Sequence, residues 1–153
     1  MTTTTRDKSK KTFIEGPITP QFIADSIAKH STKTEIGAHS IFMGQVRNDL
    51  IDGKEVKAIE YSAYKEMAEK EFHKIRESAF ERFDLSCMHI YHSLGIVKTG
   101  EISLFIFVSS KHREECFKAS RYITEEIKVH VPIFGKEIFE DDTYVWKENK
   151  ITK

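Results

Sequence analysis

The stretch that decides the fold begins Ser109-Ser110-Lys111-His112-Arg113-Glu114-Glu115-Cys116-Phe117, continues from Lys118 to His130, and closes with Val131-Pro132-Ile133-Phe134-Gly135-Lys136-Glu137. Cys116, Ser120, Ile123 and Ile127 recur at helical spacings with Ala119 beside them, which is the apolar stripe of a helix packed on a core. Ser109 or Ser110 is placed to cap its start. Pro132 ends it, because proline lacks an amide donor and restricts Val131. The pattern predicts a helix of about 18 residues, with His112 and Arg113 at one end and Lys128 near the other, roughly 24 Å away at ~1.5 Å rise per residue. One small molecule cannot touch both ends, so a site that used both would need two copies of the chain.

Working outward, Ile102-Ser103-Leu104-Phe105-Ile106-Phe107-Val108 is apolar on both faces and reads as a central strand within residues 101–109. Residues 85–92 form its expected partner across a turn at 94–100. Residues 65–83 are a second amphipathic helix, with Ala68, Phe72, Ile75, Ala79 and Phe83 on one face. Residues 37–46 and 56–64 read as strands around a polar loop, 47–54, that has the composition of a mobile binding segment. Near the start, residues 13–16 suggest a short strand, and Thr19-Pro20 opens a helix ending near His30. Downstream, residues 133–139 and 144–146 read as strands around the turn Asp141-Asp142-Thr143. The mixed order of elements argues for an α+β fold with a largely antiparallel sheet.

At 153 residues the chain is expected to form one domain, residues 13–148, between a disordered tail at 1–12 and a short tail at 149–153. Lys plus Arg and Asp plus Glu both number 24, which removes any bulk electrostatic case for nucleic acid or an anionic membrane. No apolar run is long enough to span a bilayer and no signal-peptide pattern is present, so a cytoplasmic location is expected. Cys87 and Cys116 sit in apolar segments and read as core residues. A phosphate-binding glycine loop, a zinc-protease helix and a nucleophile elbow are all missing. His89 and His92, three apart in a strand, face opposite sides of a sheet and make a poor metal pair. No metal or cofactor is expected.

What remains is a set of cations where elements end: Arg47 after a strand, His112 and Arg113 at a helix start, Lys128 near its finish, and Lys136 beyond Pro132. Arginine forks and free helix-start amides suit an anionic ligand. Taken singly, each of these is more often a solvated surface charge.

Together, Gly44-Gln45-Val46-Arg47-Asn48, Glu60-Tyr61, His92-Ser93-Leu94-Gly95, Ser110-Lys111-His112-Arg113 and Lys128 four residues before Pro132 make the chain resemble the large, catalytic subunit family of molybdopterin synthase. The resemblance runs from about Phe13 to Trp146. It implies a hammerhead-like α/β fold and a sulfurtransferase that builds the dithiolene of molybdopterin on cyclic pyranopterin monophosphate (precursor Z), in molybdenum cofactor biosynthesis. Sulfur would come from the thiocarboxylated terminus of a small ubiquitin-like subunit, in a heterotetramer built on a homodimer of the large subunit. Carried over by position, Gln45, Val46 and Arg47 would line the substrate pocket, His112 and Arg113 would enter from the other protomer, and Lys128 would be the principal catalytic lysine. Lys136, with Glu137 beside it, would also contact substrate.

One departure concerns the residue after Phe134, usually basic in that family and Gly135 here. Either Lys136 takes over as the second catalytic lysine, using the backbone freedom of Gly135, or that contribution is weaker in this protein; the first is the expectation. Lys150 lies near a position that reaches across the dimer. A different reading of the same cations is a non-catalytic dimeric module that binds a phosphorylated metabolite or a ubiquitin-like tail, and it predicts tolerance of Lys128→Ala. A third reading, a structural protein with only surface charge, predicts a monomer with no affinity for phosphate ligands.

Overall fold

The computed structural model describes residues 12–147; of the expected tails, 1–12 and 149–153, all but Thr12 lie outside them, as does Lys150, and Thr12 is held to the sheet by its carbonyl, which accepts from His92 N at 2.8 Å. The chain runs β1 (Phe13–Glu15), α1 (Pro20–Lys29), β2 (Ala38–Gln45), β3 (Leu50–Ile51), β4 (Lys54–Ala63), α2 (Lys65–Arg82), β5 (Cys87–Lys98), β6 (Ile102–Ser110), α3 (Arg113–His130), β7 (Ile133–Phe139) and β8 (Tyr144–Trp146). The strands form one sheet in the order β2-β6-β5-β4-β7-β8, with β1 beside β5 and β3 beside β4. Every pairing is antiparallel except β1 with β5, so the fold is α+β on a largely antiparallel sheet.

Alternation along β6 builds the layers. Leu104, Ile106 and Val108 face one way and pack with Ala68, Phe72, Ile75 and Ala79 of α2 and Cys116, Ala119, Ile123 and Ile127 of α3. Phe105 and Phe107 face the other way, where Phe22 and Ile23 of α1 cover them. This sheet therefore has helices on both faces, which explains why β6 carries no polar face.

Three boundaries differ from the sequence reading. First, β5 does not stop at His92. It continues to Lys98, leaving a connection of only Thr99, Gly100 and Glu101, because Gly95 at φ +87° redirects the strand without ending it. Its first half pairs with β6 and its second with β4, so β5 joins the two halves of the sheet. The φ of +87° is what calls for glycine there, since the nearest atom to an added Cβ, the Glu15 carboxylate at 2.6 Å, ends a flexible side chain that can move aside.

Second, residues 47–54 are largely a tight hairpin. β3 pairs with β4 through Asp52 and Gly53, both at positive φ, as a two-residue hairpin turn requires.

Third, neither Ser109 nor Ser110 caps α3, because β6 extends through both. Ser109 is hydrogen-bonded through its hydroxyl to His39 Nδ1 at 2.7 Å, and Ser110 donates to the His112 carbonyl. His112 is the cap residue and makes no side-chain capping bond, which leaves the amides at the start of α3 without a side-chain acceptor from it. No helix among the described residues is long and apolar enough to cross a membrane.

Candidate active site

The C-terminal end of α3 opens onto a cavity of about 350 Å³ between the end of β2, the middle of β4 and the start of β7. A bulge between Gly44 and Gln45 breaks the β2–β6 register there. Val46 is then drawn into the core, 2% exposed, with its amide donating to Glu101 O and its carbonyl accepting from Gly100 N. Anchoring Val46 leaves Gln45 and Arg47 on either side of it at the cavity mouth. Arg47 closes its fork on Asp49, with two bonds of 3.1 Å, so an incoming anion has to compete with that carboxylate.

Lys128 lines the cavity from α3. The residue is exposed, yet its pKa is lowered from the usual lysine value, first by desolvation against the cavity wall and then by the charges of Lys147 and Arg47. Glu125 opposes the shift.

Behind Lys128 the wall is polar and buried. His92 is pushed down to about 4 by burial and is neutral at physiological pH. Its Nδ1–H donates to Ser93 O at 2.8 Å, which leaves Nε2 as a bare acceptor. Tyr61 donates to Ser103 Oγ at 3.2 Å, and its pKa is raised by burial. Glu137 is 7% exposed on the same wall, with Lys147 Nζ 3.9 Å from its carboxylate.

Of the residues singled out in the sequence, Gln45, Val46, Arg47, Lys128 and Glu137 come together around this cavity. His112 and Arg113 do not. They border a separate shallow groove with Gly37 and Lys111 at the opposite end of α3. The span of 18 helical residues keeps the two places apart within one chain.

Lys136 is at neither place. Alternation along β7 buries Gly135 and Glu137 on the cavity side and turns Lys136 to the other face. There its ammonium lies 3.8 Å from Glu60, 4.5 Å from the centre of the Tyr144 ring and 5.6 Å from that of Trp146. The lysine that does reach the cavity is Lys147, which sequence reasoning passed over. Its amide donates to Gly135 O at 2.8 Å, continuing the β7–β8 pairing. A Cβ built on Gly135 would lie 3.6 Å from Lys147 Cδ and 3.1 Å from Ile59 Cγ2, so the side chain of Lys147 crosses the space that glycine leaves open. His92, Tyr61 and Asp49 were missed as well. Their signal is the parity of the strands and the bulge, legible only once strand partners are known.

The model of the family described as MoaE protein matches residues 16–130. A molybdopterin synthase catalytic subunit of Rattus norvegicus is 41% identical over 114 residues, covering 74% of this chain and 56% of the rat protein. The chain thus spans little more than half the length of that relative. One of the same name from Pyrococcus abyssi is 33% identical over 141 residues, covering 92% of this chain and 93% of its own. The crystal structure of a molybdopterin synthase from Staphylococcus aureus superposes with a TM-score of 0.78 at 31% identity, covering 91% of this chain and 97% of that one. With the matched fold and the extent of these alignments, the chain belongs to the MoaE protein family, alongside proteins named molybdopterin synthase catalytic subunit.

Proposed function

We propose that the protein is the catalytic subunit of molybdopterin synthase, a cytoplasmic sulfurtransferase that moves sulfur from the thiocarboxylated C-terminus of a small ubiquitin-like subunit onto cyclic pyranopterin monophosphate. The observation that carries the reading is Lys128, partly desolvated at the mouth of a cavity lined by cations, in a chain of this family. The relatives' own name, catalytic subunit, supports the presence of a second chain, to which this reading gives the sulfur. Exposed Phe42 and Met43 at the cavity mouth offer that chain an apolar seat.

In this reading Arg47, Lys128 and Lys147 gather anionic groups of the substrate and the thiocarboxylate. The thiocarboxylate sulfur bonds to a substrate carbon as a carbon–oxygen bond there breaks and its oxygen departs with phosphate or as water, and water then cleaves the carrier's C–S bond, leaving the sulfur on the substrate and a carboxylate on the carrier. Lys128 orients the thiocarboxylate and stabilises the negative charge that develops in both steps. A lowered pKa also suits it to proton transfer, since a larger fraction is the neutral amine at working pH. Lys147 takes the part expected of Lys136, as the second cation facing Lys128. His112 and Arg113 contribute the phosphate-binding end of the neighbouring protomer, and that completes the site in a homodimer.

The test is single-turnover conversion of cyclic pyranopterin monophosphate with the thiocarboxylated small subunit, comparing the unmodified protein with Lys128→Ala. Conversion that collapses in the variant while dimer and partner binding persist supports the synthase. Binding of substrate and partner without conversion by the unmodified protein supports a non-catalytic binding module.

A further inference from the structure

On the opposite side of the sheet from the α2–α3 core, where α1 ends, a second group of chemically able side chains comes together. Cys87 and His89 are two apart in β5 and share a face, and His30 is the C-cap residue of α1. Their donor atoms all lie within 4.8 Å of one another. His30 Nε2 and His89 Nε2 are 3.1 Å apart, close to the ~3.3 Å edge between two nitrogens bound tetrahedrally to one zinc ion.

The surroundings prepare these groups as ligands. His30 Nδ1 donates to Ser26 O at 2.8 Å, which fixes the tautomer and leaves Nε2 with its lone pair facing His89. A backbone carbonyl on the far nitrogen is the usual orienting partner of a metal-bound histidine. His30 and Cys87 are each 7% exposed, so the donors are shielded from bulk water.

From this geometry we infer that His30, Cys87 and His89 form a binding site for a borderline-soft divalent cation of the zinc class, with a fourth position open to water. Two imidazoles and one thiolate are a donor set that such ions favour over magnesium or calcium. On binding, the Cys87 thiol loses its proton to solvent and its sulfur bonds to the cation, while His89, whose Nε2–H donates to His30 Nε2 without the cation, shifts to the Nδ1–H tautomer and frees Nε2 to bind. Lys33, whose Nζ lies 3.2 Å from Cys87 Sγ, withdraws from the sulfur into solvent, where most of its chain already lies. The bound cation ties the end of α1 to β5 and stabilises the fold. Without the cation, the same nitrogens share a single hydrogen bond. The site is independent of the sulfur-transfer reading, because it lies on another face and uses none of the cavity residues.

The experiment uses the tag-free full chain, stripped with chelator and titrated with Co²⁺ and Zn²⁺. The expected result is one equivalent of Co²⁺ giving tetrahedral d–d bands together with a thiolate-to-cobalt charge-transfer band, both displaced by Zn²⁺, and a rise in melting temperature with Zn²⁺. Cys87→Ser should abolish the charge-transfer band, and it and His89→Asn should each weaken Zn²⁺ binding by about 100-fold or more, while Cys116→Ser leaves binding unchanged. Absence of the thiolate band in the unmodified protein overturns the inference, whether or not the variants fold. So does equal Zn²⁺ affinity in Cys87→Ser.

Discussion

The two ends of α3 differ in kind. At its C-terminal end Lys128 faces a half-open cavity whose wall holds a neutral buried His92, a buried Glu137 and a second lysine. At its N-terminal end His112 and Arg113 stand exposed around a shallow groove, with no capping side chain on the first amides. The first has the desolvation and convergent groups that chemistry needs. The second has only the charges and donors that hold an anion. The contrast makes sense if the helix serves two sites, giving the reacting end to its own cavity and the anion-holding end to a neighbour's.

The largest expected effect breaks the reacting end alone. Lys128→Ala should lower the single-turnover rate by about 10³-fold, with substrate affinity changed far less, as measured by rapid-quench conversion beside equilibrium binding. Arg113→Ala should do the reverse. Substrate binding should weaken by about 10- to 100-fold while the rate at saturation falls little, because a phosphate contact made equally in ground and transition states affects affinity.

Lys147 and Lys136 sharpen the contrast at the cavity. Lys147→Ala should slow turnover by about 10-fold and Lys136→Ala by less than about 3-fold. The sign of a companion pH effect is also set. Lys147 lowers the Lys128 pKa by disfavouring its charged form, so removing it lets that pKa rise. If neutral Lys128 carries protons, the pH–rate profile of Lys147→Ala shifts to more alkaline pH. An unshifted profile would leave Lys128 with a purely electrostatic part.

Smaller still is the acid response of the fold. His92 is held near 4 when folded and titrates near 6.5 when unfolded, so between those values the unfolded chain binds the extra proton. Stability should therefore fall as pH drops from about 6.5 towards about 4, by an amount on the order of 3 kcal/mol at most for this residue. Denaturant unfolding at several pH values should show a flatter dependence in His92→Gln.

Much of this arrangement is legible in residue patterns. The stripe Cys116, Ala119, Ile123, Ile127 and the stop at Pro132 place α3, and the apolar run of residues 102–108 marks a strand covered on both faces. What stayed hidden depends on partners distant in sequence. Gly95 looks like a turn residue, yet it bends a strand that β4 and β1 hold on either side. Ser110 looks like a cap until its pairing with Ala38 shows that it belongs to the sheet. Lys136 follows the glycine in sequence, but the two-residue period of β7 sends it to the other face, and the cavity receives Lys147 through the β7–β8 pairing. His30 and His89 are 59 residues apart, and no local pattern announces their contact.

The most direct test of the account is a mixed dimer that joins one Lys128→Ala chain to one Arg113→Ala chain, with each homodimer assayed beside it. A site built from Lys128 of one copy and Arg113 of the other leaves one of the two sites intact, so at substrate far below saturation, where both parent homodimers are impaired, the mixed dimer should recover about half of the unmodified activity. A mixed dimer no more active than its parent homodimers would contradict the shared site and return the full chemistry to a single chain.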